Sequence, residues 1–139
     1  LESGTPNSVG IIGLKTGLEF CIKEGIDKIG QHERKLVLRM IRALETDHRF
    51  EIYGCLDGDR KVGIVSINIK GLKPSEVGAI LDNTFNIAVR SGMHCAPHTH
   101  RRVGTFPEGM VRISPGYFNT MEEIDETISG LKKIADSSK

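Results

Sequence analysis

The chain has 139 residues, 38% hydrophobic and 27% charged, with a formal net charge of +1 at pH 7. This composition suits one domain with a real core and excludes a disordered segment, while the near-zero charge argues against a nucleic-acid-binding surface. Its apolar stretches are short and broken by charge, which leaves no reading for a membrane span or a targeting peptide.

In chain order, Thr5 is placed to cap a first helix from Pro6 to Glu24, stopped by Gly25, with Ile11, Leu14, Leu18, Cys21 and Ile22 at helical spacing. Gly10, Gly13 and Gly17 weaken that helix by about 1 kcal/mol each relative to alanine. Close packing against another element is the expected compensation. A second helix, Asp27 to Glu45, carries Ile29, Leu36, Val37, Met40, Ile41 and Leu44 on one side, with Lys28, Arg34, Lys35, Arg39 and Arg42 on a solvated face.

Arg49–Tyr53 and Val62–Ile69 read as paired strands around the turn Leu56–Arg60. Helical pattern returns at Pro74–Asp82, with Val77, Ile80 and Leu81 inward, and a strand is expected at Asn86–Arg90. Between Cys95 and Arg112, Gly104, Pro107 and Gly109 give the composition of a mobile loop, and Met110–Ser114 reads as a short strand. Thr120-Met-Glu-Glu123 is a capping box opening a last helix, whose buried stripe is Ile124, Ile128, Leu131 and Ile134. The fold class is α/β, a small two-layer sandwich with a mostly antiparallel sheet and helices on one face.

Chemistry concentrates in Arg90-Ser-Gly-Met-His-Cys95-Ala-Pro, a Gly/Pro-bounded turn directly after an expected strand. A thiol there is useful when exposed and flanked by positive charge, and Arg90 and His94 flank Cys95 with Arg101 and Arg102 downstream. The odd, widely spaced set of Cys21, Cys55 and Cys95 fits free thiols in a reducing cytoplasm.

Glu2-Ser-Gly-Thr-Pro-Asn7, Arg90-x-Gly-x-His-Cys95-Ala-Pro and Val111-Arg112-Ile-Ser-Pro-Gly-Tyr-Phe-Asn-Thr120, in this order, resemble the C-terminal part of cysteine desulfurases and selenocysteine lyases. These belong to the class V aminotransferase group of pyridoxal phosphate enzymes. The resemblance implies that Cys95 takes sulfur from L-cysteine as a persulfide, leaving alanine, and passes it to an acceptor protein. It implies that Arg112 grips the substrate carboxylate and that Gly4 and Thr5 reach the cofactor phosphate of a neighbouring subunit in a homodimer. It also implies that Arg90 and His94 lie near the active site.

Such enzymes hold pyridoxal phosphate on a lysine that usually follows a histidine, in a large domain N-terminal to this region. No His-Lys dipeptide occurs here. The chain is therefore expected to be a domain fragment, inactive alone, with residues 1–25 a helical link to a missing large domain and 26–139 the small C-terminal domain. Alternatives are a class V aminotransferase or selenocysteine lyase of other specificity, or a metal-binding or interaction module. His94, Cys95, His98 and His100 crowd four potential ligands together, but adjacent His94 and Cys95 do not easily face one ion, and no metal site is expected.

Overall fold

A computed structural model describes residues 4–57, 60 and 62–137. It contains α1 (Ser8–Glu24), α2 (Ile26–Leu44), β1 (Phe50–Tyr53), β2 (Val65–Ile69), α3 (Pro74–Phe85), β3 (Arg90–Gly92), α4 (Pro97–Val103), β4 (Met110–Ile113) and α5 (Met121–Ser137). The strands form one antiparallel sheet in the order β1-β2-β4-β3.

Strand alternation decides what each face does. Val65, Ile67 and Ile69 of β2 and Val111 and Ile113 of β4 point to one side, where they join Leu36, Met40, Ile41, Val77, Leu81, Ile128 and Leu131 in a single core. The two-layer sandwich with helices on one face is thus present. On the other side the register aligns Tyr53 with Ser66, Ser66 with Arg112 and Arg112 with Arg90. That face is polar because nothing in the described chain covers it with helices.

The long periodic helices follow their sequence pattern. In α5 the expected stripe is buried, and Thr120 and Glu123 satisfy each other: Thr120 N–H donates to Glu123 Oε2 at 3.0 Å and Glu123 N–H to Thr120 Oγ1 at 3.3 Å. In α2 the stripe from Leu36 to Leu44 is buried, and Arg39 on the outer face reaches Asp125 at 2.8 Å.

Five expectations about the elements are corrected. The strand expected at Val62–Ile69 begins only at Val65, since Val62–Ile64 is not extended into the ladder with β1. Asn7, not Thr5, caps α1, because its Oδ1 accepts from the Gly10 amide at 3.0 Å, and the helix begins at Ser8. The strand expected at Asn86–Arg90 forms instead at Arg90–Gly92: α3 runs on to Phe85, and Asn86 ends it in the left-handed region at φ 55°. Ile80 faces outward from α3. The segment after Cys95 is not an open loop but carries α4, with Pro97 at its start and Gly104 (φ 78°) at its end. The expected turn Leu56–Arg60 lies partly outside the described residues.

Helix α1 stands apart from this core. None of its residues is buried, and Val9 and Ile22 are 81% and 78% exposed. It rests on α2, and its end is tied by Tyr117, whose hydroxyl donates to Glu24 at 2.7 Å and whose ring meets Phe20 edge-on at 5.5 Å. Gly13 and Gly17 have open space around them, so the close packing expected to offset them is not made within the described chain.

Candidate active site

The polar sheet face assembles the site from non-local pairings. Arg90 of β3 and Arg112 of β4 are direct cross-strand partners. No carboxylate among the described residues forms an ion pair with either. Arg112 is half-buried, and its Nε is fully buried with no hydrogen-bond partner among the described residues. A buried donor left unmade costs about 1–3 kcal/mol, and more when charged. Two like charges side by side add repulsion. A bound anion would relieve both, and a planar carboxylate matches the guanidinium fork.

Cys95 is presented at the end of this face by a tight turn. The Ala96 amide donates to the Met93 carbonyl at 2.9 Å, and the two central residues, His94 and Cys95, have φ of 50° and 61°. Left-handed backbone at consecutive non-glycine residues is strained by about 1–2 kcal/mol each, so the surroundings must hold it. The result is an exposed, free thiol. Cys55 is also free and exposed, whereas Cys21 is half-buried.

His94 turns its ring inward. Burial is the main cause that lowers its pKa below the ordinary imidazole value, reinforced by the charges of Arg112, Arg90 and His100 and opposed by the Arg90 main-chain carbonyl. Its Nε2 is buried without a partner among the described residues. These causes favour the uncharged form of His94 beside the arginine pair. His100 is 2% exposed and bonds Thr105 Oγ1 through Nδ1 at 2.7 Å.

Side-chain orientation in this segment does not favour the metal-binding alternative. His98 and Cys95 are exposed while His100 points into the fold, and no group of three or more His, Cys, Asp or Glu among the described residues could hold a metal ion. Gly4 and Thr5 are exposed ahead of α1, and neither is hydrogen-bonded to the sheet among the described residues. The structure brings Arg90, His94 and Arg112 together, with Cys95 on the turn beside His94, and leaves Gly4 and Thr5 out of that group.

Sequence reasoning missed the neighbours on the same face. Beside Ser66, Asn68 donates to the Gly109 carbonyl at 3.2 Å. Tyr53 bonds Glu51 at 2.7 Å, and its hydroxyl is pushed up to about 12 by burial first and then by that carboxylate. They border a groove of about 390 Å³ under the 104–109 segment. Only strand alternation could have flagged them. A larger concavity of about 410 Å³ lies elsewhere, between Asn86–Ala88, Pro115 and the start of α5.

A thiol on a strained turn and a cross-strand arginine pair with no ion-pair partner among the described residues thus sit on a helix-backed antiparallel sheet. The chain belongs to the class V aminotransferase family, whose sequence profile matches residues 1–127. It is similar to a probable cysteine desulfurase of Pyrococcus abyssi, 39% identical over 136 residues, covering 98% of this chain and 33% of that protein. A cysteine desulfurase of Salmonella agona is 35% identical over 133 residues, covering 96% and 31%. Among solved structures, the apo cysteine desulfurase of Thermococcus onnurineus superposes with a TM-score of 0.91 at 35% identity, over 98% of this chain and 33% of that one. A cysteine desulfurase of Escherichia coli in an S-sulfonic acid form gives 0.86 at 26% identity, over 98% and 32%. The chain spans about a third of the length of these relatives.

Proposed function

We propose that this chain is the C-terminal part of a cysteine desulfurase dependent on pyridoxal phosphate, with residues 1–25 linking to a large domain and 26–139 forming the small one. The observation that carries the reading is Arg112: a half-buried guanidinium with a donor orphaned among the described residues, paired across the sheet with Arg90 of β3, the strand that leads into the turn displaying a free thiol. An amino-acid carboxylate satisfies Arg112 and brings the substrate side chain toward Cys95.

Pyridoxal phosphate, when bound, supplies the electron sink that loosens the substrate carbon–sulfur bond. Thr5, with an exposed hydroxyl, and Gly4, with open space around it, fit a phosphate contact made toward a neighbouring subunit. The work of this chain is to orient and to accept. Arg112 fixes the carboxylate, and Arg90 and His94 border it. The Cys95 sulfur takes the substrate sulfur as the carbon–sulfur bond breaks and a sulfur–sulfur bond forms. The substrate carbon gains hydrogen to give alanine, so no outside oxidant is consumed. Exposure of Cys95 supports hand-off of that sulfur to an acceptor protein, and the bare faces of α1 and the sheet support a homodimer with large domains covering them. Alone, the chain is expected to be inactive. A cytoplasmic location is part of this proposal; no helix among the described residues is long and apolar enough to cross a membrane.

The test is to supply the complete enzyme with L-cysteine and measure alanine release together with the mass of the Cys95 peptide. One added sulfur atom on Cys95, lost in Cys95→Ser, is expected. Alanine release with sulfur on Cys55 instead, or an unchanged yield from Cys95→Ser, would remove Cys95 from the reaction.

A further inference from the structure

His100 and Thr105 belong to no step above, yet they are among the most buried polar residues of the described chain, at 2% and 8% exposed. They hold each other twice. The Thr105 amide donates to the His100 carbonyl at 2.9 Å, and Thr105 Oγ1 meets His100 Nδ1 at 2.7 Å. From Thr105 the connection runs on into the sheet: its carbonyl accepts from the Gly109 amide at 2.7 Å, and the Gly109 carbonyl accepts from Asn68 of β2 at 3.2 Å. In the other direction the His100 ring lies against the His94 ring, centroids 6.2 Å apart.

We propose that His100 and Thr105 are a positioning pair that anchors the His94–Cys95 turn to the sheet and keeps the His94 ring against the Arg90–Arg112 face. Three observations converge on this. The turn has left-handed φ at two consecutive non-glycine residues and needs an external hold. The ring beneath it is the one imidazole among the described residues that is fully buried, and it is fixed by a hydroxyl rather than left to pack loosely. The anchor point, Gly109, adjoins β4, the strand that carries Arg112, so thiol and arginine are referred to one frame. The four ligand-type side chains crowded into this segment thereby divide: His98 faces solvent, and His100 braces the turn that shows Cys95. The purpose of the held turn rests on the desulfurase reading, whereas the hold itself does not.

Thr105→Val removes the hydroxyl at nearly constant volume, and Thr105→Ser keeps it. In the 139-residue chain, an NMR titration of the histidine rings, with His94 assigned through His94→Gln, reads the hold directly. Arg90, Arg112 and His100 face His94, so releasing its ring to solvent in Thr105→Val is expected to raise its midpoint toward the ordinary imidazole value. Thr105→Ser should leave the midpoint in place. In the complete enzyme Thr105→Val should lower kcat for cysteine about tenfold with KM little changed, since a displaced reacting group costs rate while Arg112 still binds, and Thr105→Ser should restore kcat. An unmoved His94 midpoint in Thr105→Val, or an equal shift in Thr105→Ser, overturns the positioning role whatever the kinetics. If the midpoint moves as expected but the unaltered complete enzyme forms no persulfide, the hold stands and the desulfurase reading falls.

Discussion

Gly109 lies against the backbone of Gly92 so closely that a Cβ on Gly109 would sit 2.1 Å from the Gly92 carbonyl carbon. Gly109 also has φ of 83°, where a side chain is strained in any case. Gly92 ends β3 just before the cysteine turn, so this contact sets how closely the 104–109 segment approaches the turn. Gly109→Ala is expected to destabilise the chain by about 3 kcal/mol or more, from overpacking and backbone strain together. Urea unfolding followed by circular dichroism measures it, and a loss below about 1 kcal/mol would mean the segment shifts freely.

Arg112→Ala in the complete enzyme should lower kcat/KM for cysteine by roughly 2–4 kcal/mol of transition-state stabilisation, through removal of a charged two-point contact. Arg112→Lys should recover only a small part, because an ammonium cannot present two parallel donors. Steady-state kinetics decide the matter. Wild-type behaviour of either variant would return Arg112 to an ordinary sheet residue.

The arginine pair also makes the thiol's surroundings attractive to anions. Negatively charged iodoacetate should therefore label Cys95 faster, relative to neutral iodoacetamide, than it labels Cys55, which is also exposed. Half-buried Cys21 should lag with both reagents. The Cys95 preference should fade as salt rises, since screening at about 1 M confines such fields to about 3 Å. Timed labelling with peptide mapping reports all three sites in one experiment, and equal reagent ratios at Cys95 and Cys55 would count against a cationic setting.

Acid should loosen the Arg49 cluster through its carboxylate partner Asp47. Its guanidinium is held by Asp47 at 2.7 Å and also by Asp136, joining the approach to β1 to the end of α5. The Arg49 hydrogen bonds hold the Asp47 carboxyl far below the usual carboxylate range. A folded value below the unfolded one, about 3.9, means that Asp47 contributes its stability above that pH and loses it as pH falls toward the folded value. Asp47→Asn should thus lower stability at neutral pH and flatten the decline below about pH 4. Thermal melting across that range tests it, and parallel curves for both proteins would place acid sensitivity elsewhere.

Legibility in the sequence followed the range of the forces involved. The stripes of α2 and α5 and the Thr120–Glu123 box rest on neighbours along the chain and are found where periodicity put them, and the β1–β2 pair forms with β2 beginning three residues later than expected, at Val65. Helix α4 escaped because its seven residues carry no apolar period and Pro97 serves a loop as well as a helix start. At the N-terminus, Thr5 and Asn7 are both acceptable caps, and only the reach of Asn7 to the Gly10 amide selects one. Within the site, Cys95 and Arg112 were visible as residues in a motif. Their relation was not, because the Arg90–Arg112 pairing and the His100–Thr105 bond depend on register and on a short helix that no local pattern announces.

Helix α1 carries Val9, Ile11, Ile12, Leu14, Leu18 and Ile22, all more than half exposed. A surface of that kind is sticky in water, so the 139-residue chain should form larger species as its concentration rises and disperse on dilution. Inside a cell the same helix would act as a timer. Until something lies over it, it invites chaperones and proteases, so the abundance of this domain should track the speed with which its cover arrives rather than the strength of its own core.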